Sequence, residues 1–212
     1  MVSLPEDFDV AKARKQQRTL AKAVKLRGFP LKEIQLVGGV DVSYRGEQAK
    51  AAAVILSYES LEVLETQTLE TKVLFPYIPT LFSFREASVI FQLFKRLEHR
   101  PDVLLVEGHG LAHPYGLGLA SHVGVILRIS TVGVAKKRLC GEVGTYINGR
   151  APLRYQGKLV GFAVMPKRGR NPVYVSVGNL ITLKSAVEIT LRCMGNQRLP
   201  KPLRIAHRLA KA

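Results

Sequence analysis

The sequence predicts a three-layer α/β domain on a mixed central sheet, and three observations carry that prediction. Of its 212 residues 47% are hydrophobic, enough for a sizeable core in one domain and more than a disordered basic chain would hold. Three strand-like segments follow one another before any internal crossover, which reads as an antiparallel meander. After them helix and strand alternate around the all-apolar run Val103-Leu104-Leu105-Val106, the pattern of a central strand covered on both faces.

Taken in order, the first element is a helix over about 9–26. Val10, Ala13, Leu20 and Val24 recur there at near-helical spacing with Lys and Arg between them, and Gly28 and Pro30 stop it. Its basic face is either solvated or set against phosphates; spacing leaves both open. Strands are expected over Ile34 to Tyr44, Ala51 to Tyr58 and Leu61 to Val73, divided by Arg45-Gly46-Glu47 and Glu59-Ser60. The two-proline segment Phe75-Pro76-Tyr77-Ile78-Pro79 is a stiff loop opening into a helix from about Leu81 to Leu97. Pro101 precedes the apolar run, residues 107 to 118 are glycine-rich, and a helix over 119–127 leads to the strand Thr131-Val132-Gly133-Val134. Two further strands, 158–164 and 173–177, and helices near 183–193 and 203–211 complete the chain, the last of them basic. No repeat or linker divides it, so 1–212 reads as one domain.

Lys and Arg number 32 against 16 Asp and Glu, a formal charge of +16. On a globular chain such a surplus points to a polyanion partner, through phosphate neutralisation and counterion release. Charge alone does not separate a nuclease from a ribosomal or chromatin protein. The absence of tryptophan argues against a surface for stacking many unpaired bases. No stretch approaches the roughly 18 apolar residues that span a bilayer, and Met1 to Asp7 is acidic without an apolar signal core, so a soluble, cytoplasmic protein is expected. Two isolated cysteines, Cys140 and Cys193, suit reduced thiols rather than a disulfide framework or zinc cluster.

Because acids are scarce, a carboxylate within an apolar strand is informative. In Val40-Asp41-Val42-Ser43 the valines face one side while Asp41, Gly39 and Ser43 face the other. Glu107 ends the apolar run just before Gly108-His109-Gly110, at the carboxyl end of the expected central strand, where open α/β sheets bind ligands. Glu86 lies on the helix after the two-proline loop. Each has a plain alternative as an ion-pair or surface acid, but together they can supply the oxygen ligands a hard Mg²⁺ ion takes. His109 and His113 are four apart yet flanked by Gly110 and Pro114, so they belong to a loop and not to a helical zinc motif. His122 reads as packed and His99 as superficial. Lys136-Lys137-Arg138, after a buried strand, is a solvated charge run or a phosphate clamp.

The stretches VGGVDVSY (37–44), FPYIPTLFSFRE (75–86), PDVLLVEGHGLAHPYGLGLASHVG (101–124), TVGVAKKRLCG (131–141), NPVYVSVG (171–178) and RLPKPLRIAH (198–207) resemble, in order, the endonuclease V family. The resemblance implies a ribonuclease-H-like fold and Mg²⁺-dependent hydrolysis, with Mn²⁺ as a substitute, of the second phosphodiester 3′ to inosine in DNA, with RNA as a further substrate, leaving a 3′-hydroxyl and a 5′-phosphate. It implies no membrane and no obligate protein partner. Asp41 and Glu107 match the metal-binding acids, Glu86 the third catalytic acid, His207 the C-terminal histidine and Lys136 the lysine of the GVAK motif. Tyr77 and Pro79 belong to the wedge that fills the space left by a flipped base, while Thr80, Leu81, Phe82, Gly118 and Leu119 fall where the family lines the base pocket. Glu107 stands where the family has aspartate, Thr80 where it has glycine, Tyr115 where it has a basic residue, and Lys201 and Leu203 alter its PEPTR motif. The alternatives are another ribonuclease-H-like nuclease and a nucleic-acid-binding protein without turnover; the acids at 41, 86 and 107 argue against the latter.

Overall fold

The computed structural model describes residues 9–28, 30–73, 75, 78–167 and 171–212. Its centre is a nine-stranded sheet. The meander is β1 (Leu36–Arg45), β2 (Gln48–Ser57) and β3 (Val63–Lys72). Then follow β4 (Val103–Glu107), β5 (Ser130–Ala135), β6 (Glu142–Val143), β7 (Arg150–Tyr155), β8 (Lys158–Val164) and β9 (Val173–Asn179). Across the sheet they run β3-β2-β1-β4-β5-β9-β8-β7-β6. The central trio β1, β4 and β5 is parallel, with antiparallel pairings outward on both sides. This is the expected mixed sheet, and its parallel centre is nearly wholly buried.

Two helix layers cover it. On one face α2 (Phe82–Phe94) and α3 (Leu119–Leu127) bring Ala87, Ile90, Leu93, Ala120 and Val123 onto Val40, Ala53, Leu104 and Val106. On the other, α4 (Leu183–Met194) and α5 (Lys201–Lys211) set Val187, Ile189, Leu203 and Ala206 on Val37, Leu105 and Val132. Each fully buried leucine or isoleucine side chain contributes about 1.5–3 kcal/mol of transfer free energy. Strand alternation decides which face each residue serves. The N-terminal helix α1 (Val10–Lys22) packs against α3, capped by Asp9, whose carboxylate accepts from the Lys12 amide at 2.9 Å.

Four expectations are corrected. The first helix ends at Lys22, short of Leu26, because the backbone at Lys25 turns to bond Asn179 and Leu180 instead of continuing the spiral. Its buried stripe holds Ala13 and Gln17, with Val10 left exposed, so the hydrophobic pattern misjudged the packed face. The segment from 142 to 155, to which the sequence pattern assigns no element, forms β6 and β7. Charged Arg150 and Arg154 and an internal proline hide β7, yet Pro152 keeps a place by offering its carbonyl to the Gly144 amide at 2.9 Å. The last helix begins two residues early, at Lys201; Pro202 sits in its first turn, where no amide donor is needed. Among the described residues no helix is long and apolar enough to cross a membrane.

One close approach governs the site. A Cβ built on Gly39 would lie 2.5 Å from the Pro202 carbonyl carbon and 2.7 Å from its oxygen, so only glycine lets α5 lie this near β1. Gly39→Ala should therefore force α5 outward, costing about 1–3 kcal/mol as an overpacked contact. Thermal denaturation checks the stability loss, and His207, carried on α5, should be displaced with the helix. An alanine variant with unchanged melting would contradict the contact.

Candidate active site

Parallel pairing of β1 and β4 sets Val40 opposite Val106, so the next residues, Asp41 and Glu107, come side by side. Both project toward α5, the face that Gly39 opens. There the Asp41 Oδ2 lies 2.6 Å from His207 Nδ1, and Glu107 Oε2 lies 3.6 Å from the same nitrogen. A carboxylate only accepts, so the His207 Nδ1–H donates and Nε2 becomes the lone-pair nitrogen of the neutral ring. Farther along, the Ser43 hydroxyl donates to the Ala210 carbonyl, so residues 39, 41 and 43 meet α5 in succession. Lys136, one residue past β5, brings its Nζ to 2.6 Å from Glu107 Oε1. Among the described residues the buried Glu107 Oε2 has no hydrogen-bond partner.

Glu86 reaches the same centre from α2, in the opposite layer. It is 5% exposed, and burial, followed by the charges of Asp41 and Glu107, pushes its carboxyl well above the usual carboxylate range. Tyr44 lies beside it, its hydroxyl raised first by burial and then by Glu86. Neighbouring Arg85 stacks 4.7 Å over the Tyr44 ring and donates to the Phe75 carbonyl at 2.5 Å. Tyr44 and Arg85 escaped the sequence reading. Tyr44 continues the alternation of Val40 and Val42, so its spacing alone carries no sign that it neighbours Glu86.

Ligand atoms from Asp41, Glu107 and His207 all lie within 4.8 Å of one another, a set that can hold a metal ion. Two carboxylates, one with an unpaired buried oxygen, and an imidazole are donors suited to a divalent cation. The residues present therefore fit such an ion.

Beside this centre opens a cavity of about 310 Å³, whose lining includes Thr80, Phe82, Gly118, Leu119 and Glu107 itself. The volume is at the lower end for small-molecule sites and admits a nucleobase. Gly118 caps α3, and a Cβ there would meet the His109 carbonyl at 2.2 Å. Half-buried His109 and buried His113 also line the wall; desolvation lowers the pKa of each to about 4, so both rings are neutral near pH 7. Leu81 lies fully buried at the start of α2 and Pro79 is exposed, so neither lines the cavity. Tyr77 falls outside the described residues. His122 is packed as expected, edge-on to Phe84 at 4.6 Å, and His99 pairs at the surface with Glu65.

A family model described as Endonuclease V matches residues 18–208. The chain belongs to the endonuclease V family. It is 43% identical over 210 residues to Endonuclease V of Thermofilum pendens, covering 99% of this chain and 90% of the relative. The solved Endonuclease V of Streptomyces avermitilis superposes with a TM-score of 0.89 at 34% identity, covering 98% of this chain and 95% of that one. That of Ciona intestinalis, in complex with a 24mer DNA containing an inosine followed by a ribo-adenosine, has a TM-score of 0.86 at 26% identity, covering 95% and 96%. The ribonuclease-H-like fold expected from the motifs is thus the fold observed. Within this chain, Asp41, Glu86, Glu107, Lys136 and His207 converge from two strands, a loop and helices of both layers.

Proposed function

We propose that this chain hydrolyses the second phosphodiester 3′ to inosine in DNA, and in RNA, leaving a 3′-hydroxyl and a 5′-phosphate. One observation carries the reading: Glu107 belongs at once to the metal-competent set with Asp41 and His207 and to the wall of a cavity sized for a base. Recognition and hydrolysis thereby share a residue. The solved relative in complex with inosine-containing DNA supports the choice of base, and we read residues 1–212 as one such domain.

Asp41 and Glu107 would hold the divalent cation, Mg²⁺ with Mn²⁺ as a substitute, which when bound would supply charge neutralisation at the leaving 3′-oxygen. Lys136, drawn up by Glu107, adds a positive charge facing the phosphate. Water attacks phosphorus as the bond to the 3′-oxygen breaks, and the water's proton passes to Glu86 or to Nε2 of His207. Burial makes Glu86 a stronger base than an ordinary carboxylate, and Asp41 fixes the imidazole through Nδ1. Thr80, Phe82, Gly118 and Leu119 receive the flipped base, Leu81 supports them from beneath, and Tyr77 and Pro79 form the wedge. Flipping costs a few kcal/mol, least for a mispaired base, which favours damaged sites. The free thiols Cys140 and Cys193 fit a reducing, cytoplasmic setting.

The test is cleavage of matched inosine-containing DNA and RNA strands beside adenosine controls. Cleavage is expected one nucleotide beyond the inosine's own 3′ bond in Mg²⁺ or Mn²⁺, and none with chelator. Equal cutting of adenosine strands, or cutting undiminished by chelation, would contradict the reading.

A further inference from the structure

The buried face of α1 contains a polar residue that the fold itself does not require. Gln17 is fully buried, and its Nε2 donates to the Thr80 carbonyl at 2.6 Å. Its Oε1 accepts from Arg14 Nη1 at 2.8 Å, while Arg14 Nη2 donates to the Pro79 carbonyl at 2.9 Å. The same guanidinium stacks 4.5 Å over the ring of Tyr115, whose amide donates to His113 Nδ1 at 3.2 Å. Thr80 and His113 both line the cavity, so one pair of α1 side chains ties two parts of its rim.

What the pair holds in place is an unfavourable backbone. Thr80 has φ +66°, in the left-handed region that glycine enters freely and a β-branched residue resists. Left to itself the Pro79–Thr80 peptide would relax toward negative φ and carry the cavity wall with it. Three side-chain hydrogen bonds fall on its two carbonyls, from Gln17, Arg14 and the Thr80 hydroxyl.

We propose that Arg14 and Gln17 are positioning residues for base recognition, clamping the Pro79–Thr80 peptide in its left-handed conformation and, through Tyr115, the segment that carries His113. The proposal rests on the reading of this cavity as the base pocket. A clamp that preforms the pocket strengthens binding of the flipped base before and during hydrolysis alike, so its loss raises the half-saturation constant and spares the maximal rate.

The experiment is single-turnover cleavage of an inosine strand at varied enzyme concentration, with the adenosine strand as competitor. Gln17→Met keeps the volume and removes both hydrogen bonds. The half-saturation constant should rise about tenfold, with the maximal rate and the competitor's inhibition constant within about threefold. Adding Thr80→Gly, which relieves the strained φ, should recover several-fold of that loss. Half-buried Arg14→Met keeps an apolar stem over Tyr115 and gives the same selective loss when inosine and adenosine strands are compared as a ratio, so that the missing charge cancels. An unchanged half-saturation constant, an equal weakening on both strands, or a loss confined to maximal rate and melting temperature overturns the clamp. Wild type without inosine preference would instead overturn the base-pocket reading, before any variant is compared.

Discussion

Asp41→Asn should lower the single-turnover cleavage rate on an inosine strand by about 10³-fold or more, since removing several kcal/mol of charge stabilisation corresponds to about tenfold per 1.4 kcal/mol. Strand affinity should stay within about an order of magnitude, because phosphate and base contacts are made elsewhere. Asp41 is 8% exposed, its Oδ1 occupied by the Val42 amide at 2.9 Å and its Oδ2 by His207. Asparagine preserves the shape and the first of these bonds, so the fold should persist. It loses the charge that attracts a cation, and its amide would turn a donor toward the Nδ1–H of His207, forcing the ring to the other tautomer. Both the metal and the imidazole base are thus affected by one atom change. Calorimetric titration with Mn²⁺ provides a readout independent of turnover. Normal Mn²⁺ affinity and near-normal cleavage by this variant would remove Asp41 from the site.

Glu107→Gln should be as damaging, while Glu107→Asp should retain cleavage within about tenfold of wild type. Charge at this position has two dependents: Lys136, 2.6 Å from Oε1, and the metal-competent set around the unpaired Oε2. Glutamine releases Lys136 and weakens the cation together. Aspartate draws the carboxylate back toward β4 by one methylene, but the flexible lysine stem can follow. Mg²⁺ demands near-octahedral geometry at about 2.0–2.1 Å, so the aspartate variant is expected to differ from wild type in its Mg²⁺-to-Mn²⁺ rate ratio. Single-turnover rates for both variants in each metal decide the matter. A fully active Glu107→Gln would show that position 107 holds no ion.

The parts of this site legible in the sequence are those that local periodicity encodes. Alternation along β1 places Gly39, Asp41 and Ser43 on one face, and the apolar run 103–106 places Glu107 at the carboxyl end of a covered strand. Glu86 stood out as an acid on the helix after the two-proline loop and Lys136 as part of a basic run, and the ordered motifs gave these and His207 their expected roles. Strand β7 was invisible because its arginines and Pro152 carry a loop's composition, and its pairing with β8 is a gain that composition does not register. Gln17 was invisible for the opposite reason: a glutamine among lysines looks solvated, and its burial is made tolerable by Arg14 on its own helix and by the carbonyl of Thr80, 63 positions away.

The sequence by itself determined the face and the strand end each acid occupies, the mixed α/β class and the basic character of the surface, since these follow from side-chain spacing of two or about 3.6 residues and from charge. Tertiary structure alone decided which groups meet. The β1–β4 register brings Asp41 beside Glu107, the missing Cβ of Gly39 admits α5 with His207, 166 residues after Asp41, and Glu86 arrives from the opposite layer. Periodicity states only the direction in which a side chain points. Its partner is chosen by long-range packing, which depends on every other element finding its place.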